Sequence, residues 1–318
     1  ILIFHNGHSE IKKQEAELVL TNTAGKDKSI KIKLNKIKKF ETIKIDYSKQ
    51  LKKYENFFKN NFVYGSISFK NHSSFSRLMH MKISNNEDDI QVTHTNFNYS
   101  VLKTNFIKKN QALMKIPALS KELKNYFTIV YPKHAKGNYT ALENGKSKIN
   151  FKTNKPLVLR NNFDSKKVIF ETRKKSFPAR LVTGLFGSIN EKKIPFECSL
   201  GIVHPLRRGK KFQWGTISPI NENKIFLEGY NEYYKVPDNI ILTFRIYSAN
   251  NLKYLEKKLQ YKKFDNVPRQ FSLSEFFKNY KSFLKKDYGY ISLWSNFEGF
   301  IAYSFLKKNK SASIEHFF

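Results

Sequence analysis

The last stretch of the chain, 290–318, repeats a stretch near 64–97, and this internal echo constrains the fold more than any bulk property does. Tyr290-Ile-Ser-Leu-Trp294 and Ile314-Glu-His316 correspond to Tyr64-Gly-Ser-Ile-Ser-Phe69 and Val92-Thr-His94. The correspondence continues upstream. Phe264-Asp-Asn-Val267 matches Phe40-Glu-Thr-Ile43, and Ser274-Glu-Phe-Phe-Lys-Asn-Tyr280 matches Ser48-Lys-Gln-Leu-Lys-Lys-Tyr54. Ile240-Ile-Leu-Thr243 matches Leu18-Val-Leu-Thr21, and Ile225-Phe-Leu227 matches Ile1-Leu-Ile3. The sequence therefore predicts a module at 1–100, a second copy at 225–318 and a β-rich middle at 101–224. The word Ser120-Lys-Glu-Leu-Lys-Asn-Tyr126 makes the middle a candidate third, diverged copy.

Each copy is expected to be mainly β. Ser29-Ile-Lys-Ile-Lys-Leu-Asn35, Phe62-Val-Tyr-Gly-Ser-Ile-Ser-Phe69 and Phe75-Ser-Arg-Leu-Met-His-Met-Lys-Ile83 alternate with period two, so one face of each strand can be buried. The period then changes once per copy. Ser48 as N-cap, followed by Leu51, Tyr54, Phe57 and Phe58, reads as a short amphipathic helix. Ser272-Leu-Ser-Glu275 reads as a capping box, with Leu273, Phe276, Phe277, Tyr280, Phe283 and Leu284 on one stripe. Closely spaced strands with one crossover helix predict duplicated antiparallel β-sandwich modules, Ig-like in layout.

The formal net charge is +32, from 58 Lys and Arg against 26 Asp and Glu. That excess points to a polyanion partner, whether nucleic acid, acidic polysaccharide or an anionic surface. Most of the cations are Lys spread along the chain, a pattern that codon bias produces as readily. Nucleic acid ranks below glycan as a partner, because Arg and aromatics gather in one place only. No run approaches about 18 apolar residues, so no helical membrane span is expected. Cys198 is the one cysteine, which excludes a disulfide within this sequence. The first residue is Ile1 rather than Met, which leaves a preceding segment and the compartment open.

Four groups of residues carry candidate chemistry. Arg207, Arg208, Lys210 and Lys211 stand beside Phe212 and Trp214 in what reads as a loop at 207–215, combining charge with a stacking surface. Trp294 is a second candidate sugar platform, specific to the last copy because Lys70 occupies its counterpart position. His94, His204 and His316 each end an apolar run and are the candidates for acid–base catalysis or strand capping. His5, His8 and Glu10 have ligand-like spacing but need a distant third histidine, so no metal or other cofactor is expected. Cys198 with His204 is a weaker nucleophile–base pair, since Glu197-Cys-Ser-Leu-Gly-Ile-Val reads as a core strand. There is no phosphate loop, no GxSxG, no CxxC and no HExxH. These features together predict a non-enzymatic binding or scaffold protein for glycans or a polyanionic surface. The alternative is an enzyme of carbohydrate or surface-polymer metabolism with a histidine-based site between modules.

Overall fold

The computed structural model describes residues 1–58, 63–71, 77–84, 89–95, 99–103, 111–119, 123–124, 126–131, 138–143, 147–152, 156–160, 166–172, 176–180, 182–190, 193–200, 202–203, 208–249, 253–286, 288–309 and 311–318. The fold is mainly β, built from antiparallel sheets that face one another.

The first segment contains β1 (Leu2–His5), β2 (Gln14–Asn22), β3 (Asp27–Leu34) and β4 (Thr42–Ile45). Helices α1 (Ser48–Lys52) and α2 (Glu55–Phe58) follow, then β5 (Val63–Ser68), β6 (Arg77–Ile83) and β7 (Ile90–His94). They form the sheets β4-β1-β6-β7 and β3-β2-β5. The expected alternation decides which face is inside: Ile30, Ile32 and Leu34 of β3 are buried, while Lys31 and Lys33 between them are exposed. Leu2, Leu18 and Leu20 close the core from the facing strands.

The middle contains β8 (Tyr99–Lys103), β9 (Gln111–Ile116), β10 (Phe127–Tyr131), β11 (Asn138–Glu143), β12 (Ser147–Lys152), β13 (Leu157–Arg160) and β14 (Lys166–Thr172). It continues with β15 (Ser176–Arg180), β16 (Val182–Gly187), β17 (Phe196–Ser199) and β18 (Ile202–Val203). Its sheets run β13-β10-β16-β17 and β12-β11-β14-β9-β18, with β15 paired to β8.

The last segment contains β19 (Phe212–Ile217), β20 (Glu222–Gly229), β21 (Ile240–Ser248), β22 (Tyr254–Tyr261) and β23 (Gln270–Ser272). Helices α3 (Leu273–Phe276) and α4 (Tyr280–Leu284) precede β24 (Gly289–Ser295), β25 (Phe300–Lys308) and β26 (Ser311–His316). The sheets run β23-β20-β25-β26 and β19-β24-β21-β22. Strand order is thus shared by β4-β1-β6-β7, β13-β10-β16-β17 and β23-β20-β25-β26. It is shared again by β3-β2-β5, β12-β11-β14 and β22-β21-β24.

Some sequence expectations change in detail. The single helix expected in each end segment is two short pieces, α1 and α2 or α3 and α4. Ser48 lies inside α1, and Asp46 accepts from its backbone N–H (3.0 Å) and its hydroxyl (2.6 Å). Ser272 is the N-cap of α3 but caps no backbone N–H; its hydroxyl meets that of Ser274 instead. The helical stripe is right in its packing, with Leu273, Phe277, Tyr280 and Leu284 buried in the last core. Residues 212–217 form an edge strand of the last sheet.

The segments are joined differently. Strand β20 is buried almost throughout rather than on alternate residues, because both of its faces are covered. Ile225 and Leu227 face the last core, while Phe226, with Phe305 and Ile314, packs into the middle core beside Phe196 and Cys198. Lys115 of β9 is buried at this junction, reaches the Gly229 carbonyl and pairs with Glu232 (3.1 Å), which also holds Lys167 (2.9 Å). Burial lowers the Lys115 pKa. The first segment touches the middle through polar contacts: Lys82 pairs with Glu197 (3.3 Å), and the Ile194 N–H donates to Asp89 (2.8 Å). Among the described residues, no helix is long and apolar enough to cross a membrane.

Candidate functional site

The site is built on the outer face of β19-β24-β21-β22. In β24, Ile291 and Leu293 enter the core, so the pleat sends Tyr290 and Trp294 outward. In β19, Gln213, Gly215 and Ile217 are buried, which sends Phe212 and Trp214 to the same outer face. Register then sets the neighbours: Phe212 lies opposite Trp294, Trp214 opposite Ser292, and Thr216 opposite Tyr290. The four large rings remain exposed, at 56% for Phe212, 40% for Trp214, 46% for Tyr290 and 41% for Trp294. An exposed apolar cluster rimmed by polar residues is one signature of an interaction surface.

The face extends across the next two strands. Tyr247 of β21 is paired with Tyr290 on one side and Tyr254 on the other, and the Tyr247 and Tyr254 ring centroids are 5.6 Å apart. Arg245 lies opposite Ser292, donates from Nε to Glu256 (2.6 Å) and sits 4.9 Å over the Tyr254 ring. The result is an aromatic surface with one anchored guanidinium among its polar groups.

Buried contacts beneath fix β19 in place. Gln213 donates to the Phe300 carbonyl (2.9 Å) and accepts from the Ala302 N–H (3.2 Å), tying β19 to β25 of the opposite sheet. Gly215 leaves room for Phe317, whose ring would lie 2.6 Å from a Cβ at that position. Phe318 exchanges both backbone hydrogen bonds with Trp214 (2.9 and 3.2 Å), so the tail of β26 lies along the outer edge of β19. At the Phe212 end, Gly209 packs against the Glu298 backbone, where a Cβ would come within 2.3 Å of the carbonyl oxygen. Arg208, Lys210 and Lys211 are exposed at that end. Within the loop expected at 207–215, Phe212 and Trp214 are instead strand residues of β19.

His94 and His316 come together from different segments, with ring centroids 5.2 Å apart in an edge-to-face arrangement. Phe318 stacks near both, at 4.9 Å from His316 and 6.2 Å from His94, and lies 5.4 Å from Trp214. A continuous row of rings therefore runs from His94 through His316, Phe318 and Trp214 to Tyr290, with the last pair 5.8 Å apart.

The other candidates are dispersed. His204 and Arg207 lie outside the described residues. His5 shares a hydrogen bond with Thr42 (2.9 Å), Glu10 pairs with Lys36 (2.9 Å), and His8 is exposed. Among the described residues, no three His, Cys, Asp or Glu side chains converge in a way that could hold a metal ion. Cys198 is buried, and burial raises its pKa, which disfavours the thiolate that nucleophilic attack requires.

Sequence reasoning missed Tyr290, Tyr247, Tyr254, Arg245 and Phe318 as parts of the face. The alternation in Tyr290-Ile-Ser-Leu-Trp294 put Tyr290 and Trp294 on one side, and that signal was available. Asp89 is buried and accepts from the Ile194 N–H.

No family model matches the sequence, and no curated protein matches it. Among solved structures, the chain is similar to a glycosyl hydrolase family 2 member from Bacteroides cellulosilyticus DSM 14838, with TM-score 0.18, 10% identity and 75% of this chain covered. A second structure, of a glycosyl hydrolase family 2 member from Bacteroides cellulosilyticus obtained from microfluidic crystals, gives TM-score 0.20, 10% identity and 75% coverage of this chain. The chain spans about a third of the length of the structures it matches, 34% of the first and 33% of the second.

Proposed function

We propose that the chain binds glycans without acting on them, using the outer face of β19-β24-β21-β22 as a stacking surface. The observation that supports this reading is the exposure of Phe212, Trp214, Tyr290 and Trp294 side by side on one sheet face. The C–H faces of a sugar ring are apolar and its rim is polar, so it suits aromatic rings set among hydrogen-bonding groups such as Arg245 and Glu256. The net charge of +32, with Arg208, Lys210 and Lys211 at the Phe212 end, favours a glycan that carries negative charge. We also propose that the chain is three copies of one Ig-like sandwich module, the middle included. The shared strand orders support this reading, in which β19 belongs to the last copy.

The test is calorimetric titration with acidic and neutral oligosaccharides on the wild type and Trp294→Ala. Binding that Trp294→Ala abolishes, with the thermal transition unchanged, is the expected result. Full-strength binding by the variant, or no binding to any oligosaccharide by the wild type, overturns it.

A further inference from the structure

We propose that the outer edge of β5 is a docking slot for an extended strand of an acidic partner protein, which pairs antiparallel with β5 and completes the first core. This rests on the three-copy reading above. In the middle and last segments the strands that correspond to β5 are β14 and β24, and each has a further antiparallel neighbour, β9 or β19. The sheet β3-β2-β5 has no described strand in that place. The cores differ accordingly. Val168 and Phe170 of β14 are fully buried, as are Ile291 and Leu293 of β24. On the inner side of β5, Gly65 lies opposite Leu20 and is exposed, and Ile67 lies opposite Leu18 and is only half-buried. Edge position alone does not explain this, because Ile30, Ile32 and Leu34 are buried on β3 at the other edge of the same sheet.

Composition points the same way. Sheet edges are ordinarily guarded by charge or proline. Strand β3 carries Lys31 and Lys33, and β22 carries Lys257 and Lys258, whereas Val63-Tyr-Gly-Ser-Ile-Ser68 has neither a charged residue nor a proline. The filled slots show what the guest must bring. Strand β9 turns Ala112, Met114 and Ile116 into its core, and β19 turns in Gly215 and Ile217. An extended segment with small or medium apolar residues at alternate positions fits such a slot, and main-chain hydrogen bonds to the edge supply its affinity. Gly65 leaves room for the guest side chain: a Cβ at 65 would make only ordinary contacts, 3.4 Å from Leu18 and 3.8 Å from Leu20. Charge selects the partner, since a net charge of +32 repels a second copy of this chain and attracts an acidic polypeptide.

The experiment is hydrogen exchange of the chain with a synthetic peptide built on Gln111–Ile116, with glutamate in place of its lysine and at both ends. The controls are the same peptide N-methylated along its backbone, which cannot pair, and the Gly65→Leu chain, whose leucine occupies the slot. With peptide at about ten times its Kd, exchange at the edge amides of β5 should slow about tenfold. The methylated peptide should have no effect, and Gly65→Leu should bind at least about tenfold more weakly, the order of one lost apolar contact. No slowing, or equal slowing by the methylated peptide, overturns the proposal. Sedimentation of the free chain as a dimer that Gly65→Leu dissociates also overturns it, because the occupant is then a second copy. Thermal melts of Gly65→Leu separate this proposal from the reading it rests on. An unchanged or raised transition keeps the open slot and the three copies even where the peptide fails, whereas a large fall means a closed core and removes both.

Discussion

Phe212 and Trp294 are direct cross-strand partners on β19 and β24, both turned to solvent from a sheet whose other face packs into the last core. Neither ring closes the core. Removing either should therefore leave stability within about 0.5 kcal/mol of wild type, as for other surface positions. Glycan affinity should fall in both Phe212→Ala and Trp294→Ala by roughly tenfold or more, the order of one lost stacking contact. Paired thermal melts and titrations separate the two effects, and a large loss of melting temperature would show that the rings are structural.

Gly215 is set by Phe317. A Cβ at 215 would lie 2.6 Å from a ring that is itself buried. Gly215→Ala should destabilise the last segment by about 1–3 kcal/mol, the usual cost of overpacking. Chemical denaturation checks this, and a neutral result would mean that the Phe317 ring has room to shift.

His80 gives the first segment an acid-sensitive point. It shares a hydrogen bond with the Tyr47 hydroxyl (2.9 Å), and burial, then the Lys82 ammonium, lowers its pKa to about 4. The folded state thus prefers the neutral ring while the unfolded chain takes up a proton near the ordinary value. This contribution is full above about pH 6.5 and is lost as pH falls from there towards 4, on the order of 3 kcal/mol in all. The apolar pair Tyr47→Phe with His80→Leu should flatten the stability profile in that window. Denaturant midpoints measured from pH 7 downward would show it, and an unchanged slope would count against the assignment.

Asp89 ties the first segment to the middle. Its carboxylate is buried and accepts from the Ile194 N–H at 2.8 Å. Asp89→Ala leaves that donor without its acceptor and should cost about 1–3 kcal/mol. The loss should appear as faster hydrogen exchange at Ile194 and easier proteolysis between the first segment and the middle. Protection unchanged at Ile194 would mean that another acceptor takes over.

Tyr47 adds a related expectation. Burial raises its pKa to about 12, so it should ionise well above the ordinary tyrosine range. Ultraviolet difference titration of Tyr47→Phe against wild type would show no missing signal below pH 11, given an ordinary tyrosine value of about 10.

The elements were legible because their causes are local. Period two in Ser29-Ile-Lys-Ile-Lys-Leu-Asn35 follows from the pleat, which sends successive side chains to opposite faces. The aromatic stripe at 273–284 is likewise one turn repeated, although the backbone breaks it into α3 and α4. Phe212, Trp214 and Trp294 were all visible as aromatic candidates, but as two separate ones.

By itself the sequence determined the β character, the echo between the two ends and the list of residues able to stack or carry charge. Only tertiary structure decided that Phe212 faces Trp294 and that His94 meets His316, because strand pairing and segment packing join positions far apart in the chain. It also decided that β20 is covered on both faces, since the residues that cover Phe226 lie in the middle segment and leave no periodic trace in β20 beyond continuous hydrophobicity. Local patterning records which side chains avoid water, whereas the partner that excludes the water is chosen by the whole chain.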